Sequence, residues 1–415
     1  MSFIDRIYFS KISDVKIKFD VETLARFLIF GVFVSMTRAF ALTNLFEFIL
    51  LLLFIFNPTL RKLGLNAIRD PRVFWVFVFW AWVGLSGIWS IAPSEEIFLD
   101  WWSWRKLLLV PMCFALFQTD SDKRVLIQVG LSILGLWLFI SWFVYFDIIN
   151  VGRSAIGIIE NHATQGVMFA FGAVGSTLLG LHTSPSKLRV ILFLLAISFI
   201  LNLLIVTTGR SGYLALFAMA STAIFFNLRS RSWLVLGLLS ILIATIIFSF
   251  DKPRGRIFLG FEEIVAEITN QEAPSSSLGM RVNLWNHTTA VIEENWVLGT
   301  GAGAFKYFYA DQVVGLESWR SIVADDPHQQ YMHIWAEYGL VGLIFFLTAI
   351  GAWIRYLVIS VDLDVFVILG LSVLIATMVN SLFNGHFSAF VEGRLVWISI
   401  AAFLNGKLRQ IRVKP

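Results

Sequence analysis

The stretch "DDPHQQYMHIWAEYGLVGL" (Asp325–Leu343) passes from a charged loop into an apolar run that continues to about residue 355. A run of this length can cross the hydrocarbon of a bilayer, which takes about 20 residues. His328 and His333 lie where the loop meets the run, and Glu337 follows His333 by four residues, within side-chain reach on a helix. The stretch therefore predicts a membrane helix with ionisable groups in its first turns.

The whole chain has the composition of an integral membrane protein. Hydrophobic residues make up 58% of its 415 residues, and the mean hydropathy is +0.78. Charged residues are only 14%, against about 25% in a soluble domain. The net charge of +4 does not indicate a nucleic-acid partner, because the basic residues lie mostly in short loops between apolar runs. Cys113 is the single cysteine, which excludes an internal disulfide and a cysteine-based zinc framework.

Continuous apolar runs, rather than alternating ten-residue strands, predict an all-α protein that crosses the membrane about twelve times. The predicted spans lie near 21–37, 41–57, 72–90, 101–118, 124–147, 160–181, 187–206, 210–228, 232–250, 329–355, 363–382 and 393–406.

The distribution of Lys and Arg predicts the orientation of these spans. With twelve helices, the basic loops all fall on one face, which is therefore predicted to be cytoplasmic and to carry both termini. These residues are Arg6, Lys11, Lys16, Lys18, Arg61, Lys62, Arg69, Arg72, Lys123, Arg124, Lys187, Arg189, Arg229, Arg231, Lys407, Arg409, Arg412 and Lys414. The opposite face has acidic or neutral loops such as "APSEEIFLD" (Ala92–Asp100).

One long polar loop divides the chain into three predicted parts. Residues 1–250 hold helices one to nine, 251–328 form a cap on the non-cytoplasmic face, and 329–415 hold the last three helices and a cytoplasmic tail. A loop this long with its own pattern is usually a functional element. Helical spacing from Arg281 to Glu294 predicts an amphipathic helix, and a turn is expected at the glycines that follow. Its apolar face would be Val282, Trp285, Thr289 and Ile292, and the glycines are Gly299, Gly301 and Gly303.

Ionisable residues near the outer membrane surface are the candidate functional groups, because an ionised side chain in hydrocarbon is costly. In "TTGRSGYLAL", Arg210 opens a helix whose N-terminus favours anions, although it could instead be a snorkelling residue at a helix end. Arg281 taken alone would be an ordinary solvated arginine. Arg105 follows three tryptophans and either belongs to an aromatic belt or forms a cationic wall facing a lipid phosphate.

The histidines are candidates for acid–base chemistry. The ordinary pKa of histidine is close to neutrality, so His328 could act as a general base, or it could be a structural hydrogen-bonding residue. Asp325 and Asp326 could orient it or cap the helix. His333 is expected to pack deeper, next to Glu337.

Further polar residues are predicted on the same outer side. Arg153, Asn161 and His162 are candidate substrate-binding residues, and the last outer loop holds His386, Glu392 and Arg394. The sequence has no HExxH, HxxxH or DxD arrangement, so neither a metal site nor a cofactor is predicted. Arginines suited to a pyrophosphate, a candidate base and a cap converge on one face, where the available substrates are lipid-linked.

Four stretches of the chain resemble the O-antigen ligase / O-antigen polymerase superfamily of bacterial envelopes. They are "WSIAPSEEIFLDWWSWRKLL" (Trp89–Leu108), "TGRSGYLAL" (Thr208–Leu216), "MRVNLWNHTTAVIEENWVLGTGAGAF" (Met280–Phe305) and "PHQQYMHIWAEYGLVGL" (Pro327–Leu343). The last is similar to the pattern H-N/S-x-x-L-x-x-x-x-E-x-G-x-x-G, with Gln329 and Met332 as departures.

The resemblance implies a GT-C-like, metal-independent, inverting glycosyltransferase of the bacterial inner membrane with a periplasmic site. It would move O-antigen glycan from undecaprenyl pyrophosphate to the outer core sugar of lipid A–core, in contact with membrane lipids and no nucleic acid. Arg210 and Arg281 match the family's two arginines for the donor pyrophosphate, and His328 matches the catalytic base. An O-antigen polymerase, a protein O-oligosaccharyltransferase and a lipid-linked sugar transporter remain alternatives.

Overall fold

The computed structural model describes residues 20–207, 209–228, 277–316, 318–360 and 363–405, and these residues form an all-α membrane protein. The helices are α1 (Val21–Ser35), α2 (Phe40–Phe56), α3 (Pro58–Ile68), α4 (Pro71–Ser86), α5 (Ser94–Ser103), α6 (Leu109–Leu116), α7 (Asp120–Tyr145), α8 (His162–Leu181), α9 (Lys187–Ile205), α10 (Arg210–Leu228), α11 (Ser277–Glu294), α12 (Phe305–Gln312), α13 (Gln330–Ser360), α14 (Val365–Asn380) and α15 (Phe390–Phe403).

The predicted spans correspond closely to these helices, with three exceptions: the spans near 101–118, 232–250 and 329–355. The span near 232–250 lies outside the described residues. Among the described residues, four helices, α7, α8, α9 and α13, are long and apolar enough to cross a membrane, and α2 with α3, bent by 95°, makes a fifth if the pair is one span. Several of the other helices are short, so twelve crossings stay a prediction.

The span predicted near 101–118 is not one continuous helix. The chain leaves α5, runs through a 3₁₀ turn at Trp104–Leu108, and enters α6. Tertiary contacts explain the break: the Trp104 indole donates to the Tyr338 hydroxyl (3.0 Å), and the Lys106 ammonium donates to the carbonyls of Ser388 and Ala389. Both side chains are almost completely buried. The tighter 3₁₀ turn directs these polar groups to their partners. Hydropathy predicts a regular helix here and does not indicate the turn.

α8 lies at the centre of the bundle and brings two helix N-termini together. In its most apolar part 89% of the residues are buried, and it packs against both α9 and α10. Gly166 and Gly212 allow a close crossing of α8 and α10, since a Cβ on Gly166 would lie 2.6 Å from the Gly212 Cα. The Gln165 side chain also donates to the Thr207 hydroxyl at 2.8 Å. The starts of α8 and α10 therefore lie side by side on one face.

α13 is interrupted at Gly339, and a strand-like segment of the cap fills the interruption. Gly339 has φ 72° and ψ −180°, and a Cβ there would lie 2.1 Å from the Val297 carbonyl oxygen. Main-chain hydrogen bonds join the two segments: Thr300 N to Ala336 O (2.9 Å), Gly301 N to Glu337 O (2.8 Å) and Leu340 N to Trp296 O (2.9 Å). The backbone groups freed by the break are thus satisfied by residues 296–301.

The cap packs on the first half of α13 through its own small core. Residues Leu284, Val291, Ile292, Phe305, Tyr309, Val313 and Ala336 form this cluster. The predicted helix is confirmed and begins earlier, at Ser277, but its apolar face was predicted partly wrongly. Thr288 is buried and Thr289 is exposed, because the cap core lies along the line of Leu284, Thr288 and Val291. The predicted turn is confirmed: Gly299, Gly301 and Gly303 all have positive φ.

Candidate active site

His328 lies in the loop between the cap and α13, and Asp326 holds it in place. The Asp326 Oδ1 accepts a hydrogen bond from the His328 main-chain N at 2.6 Å and lies 3.2 Å from the His328 Nδ1. The imidazole side chain is 54% exposed. Its Nε2 has no hydrogen-bond partner in the described part of the chain. The ring is therefore oriented through one nitrogen and offers the other to a ligand.

His328 and Asp326 each shift the pKa of the other. The hydrogen bond to Asp326 raises the pKa of His328, while partial burial and the charge of Arg281 lower it. Burial would raise the pKa of Asp326, but the hydrogen bonds and charge of His328, with the charge of His333, lower it to about 2. Asp326 is thus an anion at all physiological pH values, as an orienting group for an imidazole base should be.

The structure places Arg281 within electrostatic range of both His328 and Arg210. Arg210 is the first residue of α10, and Arg281 lies in the second turn of α11. Burial lowers the pKa of Arg281, and the charge of Arg210 lowers it further. Neither guanidinium has a carboxylate partner among the described residues. Two like charges held close together without a counter-ion are suited to bind an anion such as a pyrophosphate.

A cavity of about 290 Å³ opens beside His328. α11 and α12 form one wall, with Asn283 and Tyr309 among the lining residues, and the loop at 322–326 forms the other. The Tyr309 hydroxyl is buried and has no hydrogen-bond partner within the part of the chain that the structure describes. The cavity is close in size to the smaller ligand pockets of proteins, and its lining offers hydrogen bonds to a polar ligand.

Three other predicted residues lie around the start of α8. The Asn161 side chain caps α8 by accepting from the Ala163 and Thr164 main-chain nitrogens. His162 adjoins Gly209, whose Cβ would lie 3.2 Å from the His162 Cδ2, so it is a close neighbour of Arg210. Arg153 is exposed and donates to the Glu160 carbonyl at 3.2 Å. Their places are compatible with substrate contacts, while Asn161 also has a clear structural role.

Arg105 has a different environment from the other predicted site residues. Its guanidinium donates to Asn44 Oδ1 at 2.6 Å and lies 3.6 Å from Glu47, beside a separate cavity of about 250 Å³. Glu47 also accepts a hydrogen bond from Arg394 at 2.8 Å. None of the described contacts joins Arg105 to His328, so the structure gives it an ion-pairing role that the sequence did not indicate.

Two buried polar clusters near the site were only partly anticipated. His333 Nε2 lies 3.1 Å from Glu337, as expected, but Asp100, which accepts from the Tyr338 hydroxyl at 2.8 Å, was not singled out. The other cluster contains Glu392, which accepts from Thr164 at 2.8 Å and lies 3.5 Å from His386. The distance of these partners along the chain explains why no local pattern indicates them.

The fold and this site together define a multi-helix membrane protein with a cationic, histidine-bearing site under a cap. Residues 193–347 match a family model described as O-antigen ligase, and this segment contains Arg210, Arg281 and His328. This match to the O-antigen ligase family model confirms, for the matched segment, the resemblance seen in the motifs. The family indicates a glycosyltransferase-type enzyme, a ligase or a polymerase. No curated protein matches the chain.

Proposed function

We propose that this protein is an O-antigen ligase that moves O-antigen glycan from undecaprenyl pyrophosphate to the outer core sugar of lipid A–core. The reaction would invert the anomeric centre, need no metal ion, and take place at the periplasmic face of the bacterial inner membrane. The observation that carries the proposal is the grouping of an oriented, accessible His328 with two arginines that have no carboxylate partner among the described residues, inside the segment matched by the family model.

The arginines would bind the donor. Arg210 and Arg281 would form charge-assisted hydrogen bonds with the pyrophosphate. Placing their charges where the leaving group gains negative charge would stabilise the transition state. The N-terminus of α10, which begins at Arg210, adds main-chain N–H groups on the same side. The isoprenoid tail would stay in the bilayer.

His328 would activate the acceptor. Its Nε2 would take the proton from an acceptor sugar hydroxyl lying in the adjacent cavity, while Asp326 stabilises the imidazolium that results. The hydroxyl oxygen would attack the anomeric carbon from the side opposite the pyrophosphate. As that bond forms, the bond from the anomeric carbon to the phosphate oxygen would break, and its electron pair would leave with the undecaprenyl pyrophosphate.

The same site chemistry also fits an O-antigen polymerase or a protein O-oligosaccharyltransferase, which differ only in the acceptor. A lipid-linked sugar transporter would likewise need cations for a pyrophosphate, but it would not need an oriented base with a free nitrogen. The Asp326–His328 pair is therefore the feature that favours transfer over transport.

The decisive experiment is glycan transfer by purified protein with a defined lipid-linked donor, tested with lipid A–core, with a second lipid-linked glycan and with a pilin peptide, each with and without EDTA. We expect product with lipid A–core only, unchanged by EDTA. Arg281→Lys keeps the charge but loses the two-pronged geometry, so we expect at least a tenfold lower kcat/KM. Transfer to another acceptor alone would replace the ligase assignment, and absence of any transfer would favour a transporter.

A further inference from the structure

A third cavity, with charged residues among its lining, lies at the far end of α13 from His328. Its volume is about 720 Å³, and it lies between the first turn of α4 and the C-terminal part of α13. Asp70, Arg72 and Trp75 line one side, and Thr348, Gly351 and Arg355 line the other. The cavity is at the opposite end of the bundle from the candidate active site, so the proposed glycan transfer makes no use of it.

Arg72 is a fixed, buried cation in this wall. Its Nε and Nη2 both donate to the Asp70 carboxylate at 2.7 Å, and its guanidinium lies 3.5 Å from the centre of the Tyr356 ring. The remaining nitrogen, Nη1, is buried without a hydrogen-bond partner in the described part of the chain. A guanidinium held so rigidly loses little conformational entropy when it takes part in binding a ligand.

Arg355 is the second cation of the cavity. It is exposed, and no carboxylate lies within ion-pairing distance of it among the residues the structure describes. The charged side chains that line the cavity are Asp70, Arg72 and Arg355. Since Asp70 already pairs with Arg72, the charge of Arg355 is left uncompensated within this lining. The Thr348 hydroxyl and the Trp75 indole add a donor each. The cavity thus has the character of an anion site.

An exposed apolar stripe continues from the cavity along the same helices. Ile344 and Leu347 lie on α13 one turn before Thr348 and Gly351, on the same helix face, and are 50% and 44% exposed. Phe74 on α4 is 47% exposed. A ligand with an anionic head and apolar tails would place its head by Arg355 and its tails along this stripe.

We propose that this cavity binds the phosphate of an anionic phospholipid, with Arg355 as its principal contact. Basic pockets between membrane helices at the cytoplasmic leaflet are suited to such headgroups, and this end of α13 is the one predicted to face the cytoplasm. The proposal does not depend on the glycosyl-transfer activity, because it concerns a different set of residues.

The test measures the Kd of phosphatidylglycerol for the detergent-purified full chain by native mass spectrometry, with phosphatidylcholine, whose zwitterionic headgroup has no net charge, as the comparison. Arg355→Gln should raise the Kd for phosphatidylglycerol about fivefold, as expected for one arginine at a membrane surface, and leave phosphatidylcholine binding unchanged. Arg124→Gln is the matched control: Arg124 is an exposed arginine in the second turn of α7 and lies outside the cavity.

A second variant tests the cavity by filling it. A Cβ on Gly351 would meet no atom within 4 Å, so Gly351→Leu should fold and should weaken phosphatidylglycerol binding at least as much as Arg355→Gln. Wild-type affinity in both variants would overturn the proposal. Inorganic phosphate could instead stabilise the wild-type protein against unfolding and have no such effect on either variant. That result would also overturn the phospholipid proposal, because the bound anion would then come from the aqueous phase.

Discussion

The backbone of His328 is strained in a way that bears on its function. His328 has φ 50°, in the left-handed region that residues with a Cβ seldom adopt. Such a conformation costs on the order of 1–3 kcal/mol and persists when the surroundings enforce it. Here Asp326 enforces it by accepting hydrogen bonds from both the main chain and the ring. The strained backbone thus lowers the stability of the fold and holds the His328 side chain in one orientation, as is common in binding and catalytic sites.

This strain predicts a difference between two variants that both lack the imidazole. His328→Gly should be more stable than His328→Ala by about 1 kcal/mol, because glycine adopts positive φ without a penalty. Both should lose about 10²–10⁴-fold in transfer rate if His328 is the base. Thermal unfolding in detergent and the transfer assay measure the two effects. His182→Ala is the control, since His182 is exposed at the other end of α8. Equal stability of the Gly and Ala variants would contradict the strain argument.

The raised pKa of His328 predicts the pH dependence of transfer. A base must be unprotonated, so kcat/KM should rise with pH through the raised pKa of His328. Asp326→Asn removes the negative charge that raises this pKa, so the acidic limb of the profile should move to lower pH, with a lower maximum because the ring is less well oriented. Asp325→Asn removes a neighbouring carboxylate that makes no hydrogen bond to His328, and its limb should keep the wild-type position. A limb that stays in place in Asp326→Asn would refute this assignment.

At the scale of helices, residues 296–301 pair through main-chain hydrogen bonds with α13 at its break, Gly339. This pairing, called the interlock below, links the cap to the membrane helices. Hydropathy predicted α13 as a continuous helix, and the glycines at 299, 301 and 303 were predicted only as a turn. The structure shows that Gly299 and Gly339 serve one contact, in which each backbone closely approaches the other, whereas Gly301 and Gly303 lie against the backbone near Ser90 and Glu96. The helices could be predicted because their pattern is local in the sequence. This pairing could not, because main-chain hydrogen bonds between distant segments leave no periodic pattern.

The same difference between local patterns and distant contacts explains which parts of the candidate site could be predicted from the sequence. Arg210 and His328 stand in distinctive local contexts and were candidates from them, whereas Arg281 was singled out only through the family resemblance. Asp326 was a candidate by proximity along the chain. By contrast, the ion pairing of Arg105 with Glu47 and the hydrogen bond from Tyr338 to Asp100 depend on contacts between elements far apart in the chain. Such contacts are fixed by packing, and residue type alone does not identify the partner.

The interlock predicts opposite effects for two glycines of α13. Gly339→Ala places a Cβ 2.1 Å from the Val297 carbonyl oxygen at positive φ, and should destabilise the fold by roughly 3 kcal/mol or more and detach the cap. Gly351→Ala, on the same helix with open space around the new methyl group, should be neutral or stabilising by about 0.5–1 kcal/mol. Thermal unfolding measures both, and limited proteolysis near residues 296–301 reports cap release. A Gly339→Ala protein as stable as wild type would exclude an essential interlock.

At the scale of the whole molecule, the candidate site and the lipid cavity lie at opposite ends of α13. Under the two proposals, each membrane face would have its own anion site: two arginines under the cap for a pyrophosphate, and Arg72 with Arg355 for a phospholipid. The arrangement has this meaning only if the cap faces the periplasm, which the distribution of basic loops predicts.

Cysteine labelling tests that orientation directly. Cys113 is completely buried, so the wild-type chain should resist a membrane-impermeant maleimide and serve as an unlabelled background. Val314 in the cap is 78% exposed and Leu65 on α3 is 55% exposed, so a cysteine at either position would be accessible to reagent on its own side. In cells with only the outer membrane permeabilised, Val314→Cys should be labelled and Leu65→Cys should not. Leu65→Cys should react only after the inner membrane is opened. The reverse pattern would place the cap, and with it His328, in the cytoplasm, where a transfer to lipid A–core at the periplasmic face is impossible.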